Sequence, residues 1–245
     1  MHFRTREELL HFLNDNLFYI GGGSVGECYL DAKNKIVYKI FIAYLEEDES
    51  VYYDMDKFKD LKSSTFIFPK DEILVNGKIV GYTAKYVKSH PLYSYNPLLI
   101  NLDSLEEKIK KAKKDVNTLS NNSIRIYDVP YNILYGDSIK VIDTDDYSIN
   151  RIYNQKALKS INSKAFDLEF YWFLVDNYFN EFVAQDKELD ELYNGKEEDI
   201  LLFLKLFRKK LSEYTGEEVK KFNSCKKCLN KKKQFMPLYI RKIGL

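Results

Sequence analysis

The chain has 245 residues, enough for one large domain or two small ones around a sizeable core. Hydrophobic residues make up 45% and charged ones 31%, the balance of a soluble globular protein, while 38 basic side chains against 37 acidic ones leave a net charge of +1. That near-neutrality removes the electrostatic case for nucleic acid as a main partner, and no run of about 18 uncharged apolar residues is present to span a membrane. Residues 1–14 are studded with charges, so no secretory leader is expected. Cys28, Cys225 and Cys228 do not make a disulfide framework, and a cytoplasmic location is expected.

In chain order, Thr5-x-x-Glu8 reads as a capping box opening a short helix, with Leu9, Leu10, Phe12 and Leu13 available for its buried side. Residues 18–20 and 28–30 read as strands joined by a glycine-bearing turn, and 36–41 as a third strand. A helix is predicted over about 46–62, where Val51, Met55, Phe58 and Leu61 fall at spacings of three and four. Two further strands, 72–75 and 80–86, flank Asn76-Gly77, a dipeptide that favours hairpin turns. Strand periodicity stops at a linker, 88–97, containing Pro91 and Pro97. Beyond it Leu102, Leu105, Ile109, Ala112, Val116 and Leu119 mark a helix with one apolar stripe and a lysine-rich outer face. Short strands at 124–127 and 139–142 bracket a loop, and helices are predicted at 166–183, 197–211 and 217–227. Strands first and helices later indicate an α+β chain in two unequal parts, 1–88 and 89–245.

Three groups of residues carry candidate chemistry. Gly21-x-Gly23-x-x-Gly26 lies between two predicted strands; glycines let backbone N–H groups approach phosphate oxygens, although the same turn also suits a flexible hairpin. Thirteen residues on, Lys39 shares a strand face with Val37 and Phe41, where an unpaired ammonium is costly to bury, so it needs an anion or a route to water. Asp128 and Asn132, then Asp143 and Asp145, sit in loops beside short β-branched strands. Such oxygen donors suit Mg2+, which takes one or two protein groups and completes its shell with phosphate and water, and they also suit ordinary turns. Cys225-x-x-Cys228 is half of a zinc signature and reads as two thiols on a solvated basic helix.

Taken together and in this order, these elements resemble the protein-kinase-like superfamily over residues 18–182. The resemblance implies a two-lobed fold, with an antiparallel-sheet N-lobe over 1–88 and a mainly helical C-lobe over 89–245. It implies that Gly21, Gly23 and Gly26 cover the triphosphate of ATP and that Lys39 contacts its phosphates. Asp128 would take the proton of the attacking hydroxyl, and Asn132 and Asp143 would hold Mg2+ or Mn2+. Lys85 and Val87 fall where the hinge between lobes binds adenine, with Ala84 at the back of that pocket. The acid paired with Lys39 falls at Asp54, with Glu47 as competitor, and Asp167 resembles the aspartate that begins a central C-lobe helix. Cys28 takes the apolar position after the glycine loop and is not expected to be a nucleophile.

The chain also departs from the family pattern. Asp128 and Asn132 are four apart where five is usual, and Ile126 and Tyr127 stand in place of His-Arg. Thr144 and Asp145 replace the Phe and Gly after the metal-binding aspartate; Asp145 either adds a carboxylate near the metal or caps a turn. Too few residues separate Asp143 from Asp167 for a full activation segment. The implied function is an ATP-dependent kinase, Ser/Thr-type, acting on a protein or small-molecule hydroxyl. The alternatives are a nucleotide-binding pseudokinase and a small-molecule kinase of the aminoglycoside- or choline-kinase type.

Overall fold

The computed structural model describes residues 1–47, 54–176, 178–195 and 199–222. The chain is α+β and separates into two compact units. The first comprises residues 1–88 together with 142–145, and the second 89–141 together with the chain from 146 onward. No helix among the described residues is long and apolar enough to cross a membrane.

In the first unit, β1 (His2–Phe3) precedes α1 (Arg6–Asn16), whose N-terminus is capped by the Thr5 hydroxyl accepting from Glu8 N–H. The Glu8 carboxylate returns to Arg4 N–H at 2.7 Å, one residue before the position a standard capping box uses. Strands β2 (Phe18–Gly22), β3 (Gly26–Asp31) and β4 (Ile36–Phe41) follow, then α2 (Ile42–Glu47), β5 (Pro69–Val75) and β6 (Lys78–Lys85). They form a six-stranded sheet in the order β1-β5-β6-β4-β3-β2, antiparallel except for the β1–β5 pair. Asn76 and Gly77 both have positive φ, 48° and 76°, as a tight hairpin turn between β5 and β6 requires. Leu9 and Leu13 of α1 pack with Phe3, Tyr38, Ile40, Ile73, Val75 and Val80 into this unit's core.

Of the helix expected over 46–62, only 46–47, the end of α2, are α-helical among the described residues. The α2 helix reaches only Glu47, 48–53 with Val51 lie outside the described residues, and Asp56–Phe58 is a single 3-10 turn. Two local effects override the spacing. The Asp54 carboxylate accepts from Asp56 N–H at 3.0 Å, a turn-forming bond that competes with helix, and Phe58 is drawn into a stack on Phe68 with centroids 5.0 Å apart.

The second unit opens with β7 (His90–Pro91) and continues through α3 (Leu102–Asn121), β8 (Ile124–Arg125), β9 (Ile133–Tyr135), β10 (Ile139–Val141) and β11 (Ser148–Ile149). Then come α4 (Gln155–Tyr171), a π-helical turn Trp172–Asp176, α5 (Asn180–Gln185), α6 (Lys187–Asn194) and α7 (Ile200–Thr215). The predicted apolar stripe of α3 is its buried face, and each such Leu or Ile contributes on the order of 2 kcal/mol when fully buried. Helix α4 starts eleven residues before the predicted 166. Its first turns are polar but are anchored by Asn162, whose amide donates to Ser120 Oγ (2.9 Å) and Ile124 O (2.8 Å) and accepts from Ile126 N–H (3.0 Å). Asp167 is therefore mid-helix, not a helix start. Gly216, at φ 74°, ends α7, and residues 217–222 do not continue as α-helix; the rest of the helix predicted to 227, including Cys225 and Cys228, lies outside the described residues.

Candidate functional site

Strand β4 lies inside the first sheet, between β3 and β6, with Lys39 opposite Cys28 on one side and Tyr82 on the other. Lys39 is only 6% exposed, so its ammonium requires compensation. Residues 142–145 supply it. Lys39 Nζ donates to Asp143 Oδ1, 104 positions along the chain, and to Asp145 Oδ1 and Oδ2 at 3.3 and 3.2 Å. The Tyr82 hydroxyl donates to Asp145 Oδ1 at 3.0 Å, Lys57 Nζ to the Asp145 carbonyl at 2.7 Å, and Thr144 Oγ1 to the Ile67 carbonyl at 2.9 Å. Asp145 is buried, whereas the Asp143 side chain is 38% exposed in a backbone with φ 58°.

The electrostatics follow from this arrangement. Burial and the neighbouring Asp145 push Asp143 up to about 6, against the pull of Lys39. Asp145 also meets a burial penalty, but the hydrogen bond with Asp143 and the charge of Lys39 hold it below the usual carboxylate value. For Lys39, burial opposes the charge and the two carboxylates outweigh it, keeping its pKa above that of a free lysine. With both acids ionised, one ammonium faces two carboxylates, which leaves net negative charge on oxygen donors. Burial raises the Cys28 thiol to about 11, so it is no nucleophile at neutral pH.

The glycines differ in what they permit. A Cβ on Gly26 would lie 2.7 Å from the Ile40 carbonyl and 3.1 Å from Lys39 Cε, so only glycine lets β3 pass this close to the lysine. Gly21 and Gly23 face open space, and Gly23 N–H closes the turn on Gly26 O at 3.0 Å. Lys85 ends β6 and is exposed, and Val87 is half-buried. Lys85 also lines an open cavity of about 840 Å3 with Met55, Phe58, Phe66 and Phe68; none of Lys39, Asp143, Asp145 and the glycine turn contributes to it.

Asp54 is a correction. It is exposed and caps a local turn, and among the described residues Lys39 pairs with Asp143 and Asp145 instead. The Glu47 side chain lies outside the described residues. Tyr82, the direct cross-strand neighbour of Lys39, was missed, because strand periodicity does not reveal which strand pairs with β4 or in what register.

Within the second unit, Asp128 and Asn132 share one tight turn. Asn132 N–H donates to Val129 O at 3.0 Å and its Nδ2 to the Asp128 carbonyl at 2.7 Å. Asp128 and Tyr131 both have positive φ, 42° and 69°. Beneath the turn is an unpredicted acid, Glu169 of α4, 3% exposed, whose Oε2 accepts from Ile133 N–H at 3.4 Å. Burial raises its pKa to about 7, against the N–H groups of Ile133 and Tyr131. Two residues before it, Asp167 is fully buried, receives Lys113 Nζ at 2.7 Å and Ile200 N–H at 3.3 Å, and is raised to about 6 by burial. Asp167 is singled out in the sequence; the signal for Glu169 was a second acid in the same run of aromatic and aliphatic residues.

Among the described residues no three His, Cys, Asp or Glu side chains are grouped to cage a metal. The donor chemistry nevertheless fits Mg2+, which needs only one or two protein oxygens beside phosphate and water, and the part-exposed Asp143 provides one. No protein-family model matches the chain, and no curated protein matches it.

Proposed function

We propose that the chain is an ATP-dependent phosphotransferase of the protein-kinase-like superfamily, with a two-lobed fold and a shortened activation segment, acting on a protein serine or threonine hydroxyl. The observation that carries this reading is the ion pair of Lys39 with Asp143 next to the close approach of Gly26. It is the juxtaposition a triphosphate and its cation require, made by residues more than a hundred positions apart.

In this reading the glycine turn and Lys39 bind the phosphates, and the backbone at Lys85 and Val87 binds adenine. Asn132 and Asp143 would hold Mg2+ or Mn2+, which when bound neutralises the phosphate charge. Asp128, exposed on its turn, accepts the proton of the attacking hydroxyl. The hydroxyl oxygen bonds to the γ-phosphorus as the bond to the bridging oxygen breaks, and ADP leaves with that electron pair. Lys39, already fixed by two carboxylates, needs little reorganisation to meet the phosphates.

The test uses purified chain, γ-labelled ATP and either metal, with mass mapping of any labelled residue. Asp143→Ala is expected to lose metal-dependent nucleotide binding, whereas Asp128→Ala keeps binding and loses transfer. Absence of nucleotide binding by the unmodified chain, or equal loss of binding in both variants, refutes the reading. A nucleotide-binding regulator without transfer is the second reading, favoured by the engagement of the Asn132 amide with Asp128 in a turn one residue short. Transfer that disappears in Asp128→Ala eliminates it.

A further inference from the structure

Three aromatic rings from separate segments of the second unit meet at the surface on the turn that carries Asp128. Tyr131 is 63% exposed and Tyr93 58%, and Trp172 is half-buried. The ring centroids of Tyr93 and Tyr131 are 5.8 Å apart at 69°, and those of Tyr131 and Trp172 are 6.0 Å apart at 40°.

Core packing does not account for this row, because most of the Tyr93 and Tyr131 surface remains in water. Backbone geometry works against it too. A bulky residue at φ 69° is strained, and Tyr131 is held there by the Asn132 clamp and the Glu169 carboxylate under Ile133. Trp172 opens the π-helical turn after α4, a distortion that re-aims side chains and recurs at functional positions. Two distinct backbone irregularities thus present the same row of rings.

The charges on these segments select the ligand. Aromatic faces carry negative quadrupole potential, and the Asp128 carboxylate is exposed three residues before Tyr131. The stretches 89–107, 126–139 and 165–186 contain no lysine or arginine, and the cation that folds onto them, Lys108, is engaged by Gly136 O at 2.6 Å and the Tyr135 ring. Exposed ring faces beside an exposed carboxylate favour a weakly hydrated cation.

We propose that Tyr93, Tyr131 and Trp172 form a binding site for an organic cation, an alkylammonium or guanidinium group. Taking that cation as part of the phosphoryl acceptor rests on the function proposed above; the binding itself does not, and its test contains no nucleotide.

Trp172 is the only tryptophan in the chain, so its fluorescence reports directly on the site. The full chain is titrated with tetramethylammonium against tert-butanol, and with N-acetylarginine amide against the uncharged N-acetylcitrulline amide, at constant ionic strength set with sodium chloride. The expected result is a saturable change with at least one cation that its neutral counterpart does not reproduce. Strongest response to tetramethylammonium identifies a small alkylammonium as the source, and to N-acetylarginine amide a polypeptide side chain. Tyr131→Leu, which keeps apolar surface but lacks a ring face, is expected to weaken binding about two- to five-fold, while Tyr131→Phe retains it. Unchanged far-UV circular dichroism shows that both variants fold. No saturable response to either cation, equal response to the neutral compounds, or unweakened binding by Tyr131→Leu overturns the proposal. Cation binding without nucleotide binding would defeat only the kinase reading, and the reverse only this one.

Discussion

Replacing Glu169 by glutamine isolates one buried carboxyl and its effect on stability. The folded-state pKa of about 7 stands against 4.5 in an unfolded chain. A raised acid pKa means that the folded state holds the proton more tightly, so this group's stabilisation is complete below pH 4.5 and is lost as pH rises to 7. The difference of 2.5 units corresponds to roughly 3 kcal/mol at about 1.36 kcal/mol per unit, an upper figure because the loop relaxes around an ionised group. Glutamine keeps the size and the acceptor oxygen for Ile133 N–H but cannot ionise. The variant is therefore expected to match the parent near pH 4.5 and to exceed it increasingly up to pH 8, by about 1–3 kcal/mol. Urea unfolding at intervals across that range gives the difference curve. Asp143 and Asp167, both near 6, titrate in either protein and cancel in the subtraction. A difference that stays constant with pH would show that Glu169 is not the group described.

Gly26→Ala is expected to lower stability by about 1–3 kcal/mol through overpacking, whereas Gly23→Ala, which meets open space, stays close to the parent in thermal unfolding. Lys39→Met leaves Asp145 buried without its cation and is expected to cost on the order of 3 kcal/mol; adding Asp145→Asn recovers part of that loss in a double-mutant cycle, and strict additivity would argue against the pair. Asp54→Ala, at an exposed turn, is expected to change stability by no more than about 0.5–1 kcal/mol, and a loss as large as that of Lys39→Met would reinstate it as the partner of Lys39. Lys113→Ala isolates Asp167 inside the second unit, with an expected loss on the order of 3 kcal/mol at pH 8 that Asp167→Asn restores in part, as denaturant unfolding would show.

Local patterns carried the regular elements. The stripe of α3, the Asn76-Gly77 hairpin and the strand at 36–41 were visible because each has a period or turn chemistry contained within a few residues. Elements whose reason for existing lies elsewhere were not. The two residues of β1 form a strand only by pairing with β5, and α6 buries just Leu189 among its residues, too little to show a period. The polar start of α4 hides a helix because its anchor, Asn162, is satisfied by Ser120, Ile124 and Ile126 across the unit. At the site, strand alternation showed that Lys39 needs an anion but not which one. The helix spacing that suggested Asp54 is broken by that residue's own side chain, and the partners of Lys39 among the described residues are a hundred positions away.

The position of its partners in the chain has a physical consequence for how Lys39 is oriented. An acid on a separate helix can hold a lysine only while the helix stays packed against the sheet, so the pair opens when the helix moves. Here the acid belongs to the segment that also presents Asp143, and the segment is tied to the sheet at several points. Asp145 accepts from Tyr82 on β6 as well as from Lys39 on β4, its carbonyl accepts from Lys57, and Thr144 donates to Ile67. Displacing Asp145 would take one of two carboxylates from an ammonium and an acceptor from a phenol, both almost fully buried. The lysine and the two carboxylates are therefore tied directly to β4 and β6. The ammonium is thus oriented from two sides, and the Asp143 side chain, 38% exposed, is the part of the cluster that reaches solvent.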